Sequence, residues 1–452
     1  MQSRKDHVQA YQFSTARLSS ALVTGDAFAG EAPLKRSGSG AVFGTVLAAL
    51  VCAGAFVFGL ISPGGATSWQ QPRTIVVEKE TGNRYVYLDG VLHPTLNTAS
   101  AMLVLGADGG APTFRQVSRN SLAGVPHGAA IGIPGAPDSV PQANGMLPPE
   151  WSLCSGPGGT GPRGTVVLGP AAGTPLPADQ RLVVAGADGG AHVVWRDTEY
   201  PVASAAVLAA LGLGDVAPVV VPDAWLAALA HGSALVAPDV PGSGSPGPAV
   251  GGASSAVGQV FQVRSSQNAS TQNYLLRSDG LAPLSPTAAA LLAARAGAAP
   301  ARESTPADVA GAPTSADDSG LRGLPDLAGA GTYRPATDSV CVHRVSRDGD
   351  LAPGTVGTAP VPVDPARDRA LLAPGSGMLV AALPRPGPGT RPQQYLITDQ
   401  GVRYAVSDEA ARLLVPTATT AWLPPAVLGA LPAGPALTTG AAARAGSAQG
   451  GP

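Results

Sequence analysis

The chain has 452 residues, with 28 Lys plus Arg against 30 Asp plus Glu, and its net charge of -2 without a broad basic field argues against nucleic acid as a partner. Apolar residues reach 44% but aromatics only 4%, so a core must be built mainly from Ala, Val and Leu. With 59 Gly and 45 Pro, the composition is close to the low-complexity range, and small structured units separated by long disordered stretches are expected.

Residues 1–40 read as a cytoplasmic amphipathic segment. Val8, Tyr11, Leu18 and Leu22 fall on one side of a helix, with Phe13 off the stripe and Arg17 placed to meet lipid headgroups or acidic partner residues. The segment either docks on a partner or lies on the membrane surface. Residues 41–62 (AVFGTVLAALVCAGAFVFGLIS) carry no charge. At about 1.5 Å per residue they reach about 33 Å, enough for a hydrocarbon core of about 30 Å. Arg4, Lys5, Arg17, Lys35 and Arg36 precede this span, and the next cation after it is Arg73. The positive-inside rule then expects a cytoplasmic N-terminus and an extracytoplasmic bulk. The alternative, a cleaved signal peptide, has a shorter apolar region nearer the start.

Beyond Cys52, which falls in the span, only Cys154 and Cys341 occur. They either form a bridge or remain two separate thiols. An oxidising compartment favours the bridge, which in the chain-entropy model contributes about 4 to 5 kcal/mol.

Self-comparison finds four similar segments, each a β-prone run ending in a turn centred on Asp89-Gly90, Asp197, Asp279-Gly280 or Asp399 with Gly401. A helix follows each turn, with Ser285 and Ser407 at N-cap positions and Pro286 at the first helical position. Three units close on a short helix ending at Gly128, Gly232 or Gly434, where a left-handed cap is expected, and the third unit lacks a clear closing piece. The expected organisation is repeat 1 over 74–135, repeat 2 over 181–236, repeat 3 over 259–296 and repeat 4 over 391–435. A β-rich central piece takes 140–180 and 331–390, one cysteine in each. Flexible linkers are expected at 241–258 and 297–330, with a disordered tail over 436–452.

Catalytic signatures are weak. The Gly-rich stretch 156–165 lacks the Gly-Lys-Ser/Thr of a phosphate loop, and no Lys in the chain follows a Gly. The six histidines are scattered without metal-ligand spacing. No catalytic residue, metal or cofactor is expected.

Several motifs together resemble a known family: the opening Asp6–Phe13, then Arg17–Asp26, Pro33–Arg36 and the span, Pro63–Trp69, Ile75–Gly90 and Leu92–Asn97. They are similar to EccB, a core membrane component of actinobacterial type VII (ESX) secretion systems. The resemblance implies an α+β protein with a single N-terminal transmembrane helix. Its elongated extracytoplasmic domain would carry four α/β repeats around a β-rich central piece, with one disulfide. It further implies self-association as dimers or rings, and EccC, EccD and EccE-type components as partners. A cell-wall-binding module and, further off, an ATP-hydrolysing enzyme are the competing readings.

Overall fold

A computed structural model describes residues 4–25, 35–61, 67–106, 112–157, 163–171, 173–264, 270–295, 297–317, 324–347, 350–364 and 366–444. The chain divides into two compact units. The first contains α1 (Arg4–Thr24), α2 (Lys35–Ile61) and residues 117–124. Helix α2 starts six residues before the expected span, at Lys35, and runs through Gly38 and Gly40. Over Ser39–Phe58 its mean hydropathy is 2.4 and none of it is buried inside the protein. An apolar cylinder without protein cover is a membrane-spanning element by length and composition.

The second unit builds four small sheets on one plan. The first contains β1 (Thr74–Glu78), β2 (Arg84–Leu88), β3 (Val91–Pro94), α3 (Thr98–Gly106) and β4 (Thr113–Val117), and α4 (Arg119–Leu122) follows in the chain. Next come β5 (Glu150–Ser155), β6 (Thr165–Leu168) and β7 (Thr174–Pro175). The plan then recurs in β8 (Gln180–Ala185), β9 (Ala191–Trp195), β10 (Thr198–Pro201), α5 (Ala205–Ala210), β11 (Val219–Val220), α6 (Asp223–Leu226) and β12 (Ala230–His231). A hairpin, β13 (Pro246–Val250) and β14 (Ala253–Ala256), leads to β15 (Val260–Arg264), β16 (Thr271–Arg277), β17 (Gly280–Leu284), α7 (Pro286–Ala293), β18 (Arg302–Glu303) and α8 (Pro306–Ala310). After β19 (Gly331–Thr332), β20 (Ser339–Arg347), β21 (Asp350–Leu351), β22 (Thr355–Ala359) and β23 (Arg369–Leu371), the last sheet forms from β24 (Gly377–Ala382), β25 (Gln394–Thr398), β26 (Arg403–Val406), α9 (Asp408–Leu414), β27 (Ala421–Leu423) and α10 (Pro425–Gly429), ahead of α11 (Thr439–Ala442).

In each sheet three antiparallel strands are followed by a helix, and the chain then returns to the far side of the first strand. The strand orders are β3-β2-β1-β4, β12-β10-β9-β8-β11 (β19 also pairing with β8), β17-β16-β15-β18 and β26-β25-β24-β27. The returning strand is parallel to the first in the pairs β8/β11, β15/β18 and β24/β27, the direction a crossover helix allows. Short polar caps start the helices. Ser204, Ser285 and Ser407 accept from the backbone N–H three residues on, and Asn97 does the same for Ser100.

Each unit closes by one repeated contact. The backbone N–H of Gly128, Gly232, Ser315 and Gly434 donates to the carbonyl of Leu92, Glu199, Leu281 and Arg403 respectively. The next residue on the third strand is His93, Tyr200, Ala282 or Tyr404. A Cβ on Gly128, Gly232 or Gly434 would lie 2.4, 2.2 or 2.2 Å from the facing ring. None of these three glycines has positive φ, so the expected left-handed caps are not the reason for glycine; close approach of an aromatic ring is. The third unit exchanges both partners, with buried Ser315 over buried Ala282. Gly434→Ala is therefore expected to cost about 1–3 kcal/mol in chemical denaturation, and adding Tyr404→Ala to recover part of that loss. Additive costs in the double variant would count against the paired fit.

The central sheet has the order β23-β6-β5-β20-β22-β7. Its inner face contributes Trp151, Leu153, Val340 and Val342 to the largest core, which also takes in Leu182 and Trp225 from the second sheet unit and Val380, Ile397 and Leu423 from the fourth. Helix α3 packs against α9 and α11, and α5 packs against α7.

Four expectations from composition are corrected. Residues 241–258 are not a linker but carry the β13/β14 hairpin, with Val250 fully buried. Residues 297–330 contain β18 and α8, which close the third unit, and α8 has a Thr305/Asp308 capping box. The tail is ordered as far as Arg444, since Leu437 and Ala442 are buried in the core that holds α3 and α9; residues from 445 lie outside the described residues. The fourth sheet begins at β24 rather than at residue 391, because this strand pairs with β25 and β27. In the first three places a low-aromatic, Gly/Pro-rich composition masked short elements held by backbone pairing and burial.

Candidate assembly interface

Helix α1 carries its apolar residues outward. Val8, Tyr11, Phe13, Leu18 and Leu22 are between 53% and 83% exposed, and Arg17 is exposed as well. At about 100° per residue, Val8, Tyr11, Leu18 and Leu22 share one flank and Phe13 projects from the other. A solvated helix does not keep five large apolar side chains bare unless something covers them. The expected segment 1–40 is described only in part, because residues 26–34 lie outside the described residues.

In the second unit, Cys154 and Cys341 face each other across β5 and β20, with Cα atoms 4.0 Å apart, and form a disulfide. Both are buried with Ala359 on the sheet face opposite the main core. On that same face Ser152 Oγ lies 3.1 Å from His343 Nδ1, and His343 Nε2 lies 3.6 Å from Glu150. Burial holds the His343 imidazole below its ordinary pKa, opposed by the Glu150 carboxylate and a backbone hydrogen bond at Trp151. The trio looks like a hydrolytic relay, but Ser152 is only 1% exposed, so its hydroxyl has no room for a reacting carbonyl. It is a polar row beside the disulfide.

The Asp-centred turns are tied down. Asp89-Gly90 and Arg196-Asp197 are two-residue turns in which both residues have positive φ. Asp197 accepts from the Val356 N–H of β22 at 2.7 Å, Asp399 from Gly375 N–H at 2.7 Å, and Asp279 from Ala316 N–H at 3.3 Å. The Ser315 hydroxyl holds the Asp279 carboxyl below the usual range. Gly280 and Gly401 also have positive φ. Asp197, Asp279 and Asp399 thus secure backbone rather than present a ligand surface.

Sequence reasoning missed two clusters. Buried Glu199 contacts Nδ1 of both His192 and His231, one from the adjacent strand β9 and the other from β12. The spacing of His192 and Glu199 around a two-residue turn could have revealed the first contact; nothing local reveals His231. Buried Arg181 donates to the carbonyls of Leu327 and Leu211, both at 2.8 Å, and so ties the second unit to the segment after the third. Among the described residues no group of three His, Cys, Asp or Glu side chains could hold a metal ion.

A spanning helix, an exposed apolar helix before it and a large disulfide-tied α+β domain after it define a membrane-anchored protein built for assembly. The family described as "Type VII secretion system ESX-1, transport TM domain B" matches residues 1–448. The ESX-3 secretion system ATPase EccB3 of Mycolicibacterium smegmatis is 29% identical over 475 residues, covering 96% of this chain and 89% of the relative. The ESX-1 secretion system ATPase EccB1 of Mycobacterium tuberculosis is 27% identical over 434 residues, covering 91% of this chain and 88% of the relative. Among solved structures, a chain of the intact ESX-5 inner membrane complex matches with TM-score 0.58 and 26% identity, covering 100% of this chain and 97% of that one. The EccB3 dimer from the ESX-3 core complex matches with TM-score 0.56 and 27% identity, covering 82% of this chain and 100% of that one. The chain belongs to the EccB family of type VII (ESX) secretion membrane components.

Proposed function

We propose that this protein is a structural subunit of an ESX membrane complex, held by α2, with the residues before the span in the cytoplasm and the domain from Trp69 onward on the other side. The observation that carries the reading is α2: a wholly uncovered apolar helix with Lys35 and Arg36 at its N-terminal end, Arg4, Lys5 and Arg17 before it, and no cation after it until Arg73. Dimerisation, seen for the EccB3 structure, and rings on the extracytoplasmic face are proposed for this chain as well. The exposed apolar residues of α1, with Arg17, are the surface for docking on EccC, EccD and EccE-type components.

Deletion of residues 4–24 is expected to leave a membrane-retained protein that no longer co-purifies with those components after mild detergent extraction. Full co-purification of the truncated chain would reject α1 as the docking element. A cysteine introduced before α2 should react with an impermeant maleimide only after the membrane is opened.

The relatives carry the word ATPase in their names. We assign no ATP hydrolysis to this chain, because its Gly-rich stretch lacks the lysine that reaches the β/γ-phosphates; residues 158–162 of that stretch lie outside the described residues. ATP turnover by the purified chain that is abolished by a point substitution would reverse this assignment.

A further inference from the structure

Among the strands that return to the far side of each sheet, β4 differs. Strand β27 is wholly buried, β11 holds buried Val219, and β18 is only two residues long. In β4, by contrast, Thr113, Phe114, Arg115 and Gln116 are all exposed, Phe114 at 52%. Successive side chains of a strand alternate between faces, so β4 is bare on both. It is also the last strand of its sheet, with one backbone edge unpaired. Proteins in water cover or blunt such an edge. Here the uncovered strand instead sets an aromatic ring beside a cation, the combination that suits a lipid surface.

Continuity with the span and charge both point to that surface. Only residues 62–73 separate α2 from β1, a reach of about 40 Å at most. The Thr113 N–H donates to the Arg73 carbonyl at 2.9 Å, so β4 starts beside the end of that tether. Residues 117–124, which continue from β4, fall in the compact unit that contains α2. The chain has 30 Asp plus Glu, yet none lies in 62–77 or 109–137, which carry Arg73, Arg115 and Arg119. Both segments are therefore cationic in a chain of net charge -2. A second copy is a poorer occupant. Antiparallel pairing about the middle of β4 sets Arg115 opposite Arg115, like charges directly opposed, and still leaves both faces bare. We propose that β4 is a lipid contact: Phe114 enters the headgroup layer of the bilayer that α2 crosses, and Arg115 pairs there with anionic lipid phosphate. The contact rests on α2 as the span and not on membership of a complex.

The test places the intact chain, carrying Cys52→Ala and Gln116→Cys, in nanodiscs of phosphatidylcholine with or without phosphatidylglycerol. A fluorophore on the new thiol is quenched either by lipid spin-labelled at the headgroup or by aqueous iodide. Val236→Cys in place of Gln116→Cys, at a side chain 54% exposed in the second sheet unit, is the reference. With phosphatidylglycerol present, the probe on β4 should be quenched by the lipid and shielded from iodide, and the reference by iodide alone. Arg115→Gln should lower the ratio of docked to undocked probe about fivefold, the weight of one cation near an anionic surface. Phe114→Ser should bring lipid quenching down to the reference level. Both substitutions are at exposed positions and should leave the melting temperature unchanged. Lipid quenching no greater than the reference overturns the proposal. Shielding that persists in lipid-free detergent and grows with protein concentration overturns it in favour of a second copy. Equal lipid quenching with and without phosphatidylglycerol overturns the pairing of Arg115 with anionic lipid. A chain that does not enter the discs overturns α2 as the span and this proposal with it, whereas an inserted chain with a wet β4 overturns this proposal alone.

Discussion

Replacing Cys341 with Ser is expected to destabilise the domain that follows the span by up to about 5 kcal/mol in chemical denaturation. The bridge joins residues 187 apart in sequence, and so removes more chain entropy from the unfolded state than any local crosslink could. It also sits at the middle of the central sheet, on the two strands whose inner faces feed the main core. Loss should therefore spread to the second and fourth sheet units rather than stay local. Reducing agent should bring the unaltered protein to the same midpoint, and Cys154→Ser added to Cys341→Ser should cost little more. Retention in the membrane should not change, since α2 belongs to the other compact unit. An unchanged denaturation midpoint in the single variant would refute the stabilising role.

Introducing Leu47→Arg together with Val51→Arg should release the chain from the membrane under alkaline carbonate. Both side chains lie near the middle of α2 and are uncovered by the rest of the protein. On insertion scales each central Arg costs about 2.5–3.5 kcal/mol, so the pair removes about 5–7 kcal/mol from partitioning. With insertion lost the chain stays in the reducing cytoplasm, so the Cys154–Cys341 bridge should form only on oxidation of the purified protein, after which the domain should melt as before. A chain that stays resistant to carbonate extraction would mean that something other than α2 anchors it. Compared after that oxidation, this substitution and the cysteine substitution act on separate units, so their effects should not couple.

The sequence was readable where the physics is local. The span follows from a continuous uncharged run, because lipid partitioning sums over neighbours in the chain. The hairpin turns at Asp89-Gly90 and Arg196-Asp197 and the caps at Ser285 and Ser407 follow from short-range geometry, and each occupies its expected place. Asn97, the cap of α3, sits where the read helix opens. The two cysteines suggested their own pairing because there was no other choice beyond the span. Only the tertiary structure decided what depends on distant partners. The third unit's closing helix α8 did carry a local signal, the Thr305/Asp308 capping box ahead of Gly311, whereas β18 is two residues long and exists through its parallel pairing with β15. Strand β24 read as part of the centre, because a strand buried on both faces carries no mark of which sheet it will join. The convergence of His192 and His231 on Glu199, the reach of Arg181 to Leu327, and the need for glycine beneath Tyr200 and Tyr404 all come from chain segments brought together by folding. Lipid affinity and turn preference are properties of a stretch of chain, whereas pairing and close packing are properties of two stretches, and only the fold says which two.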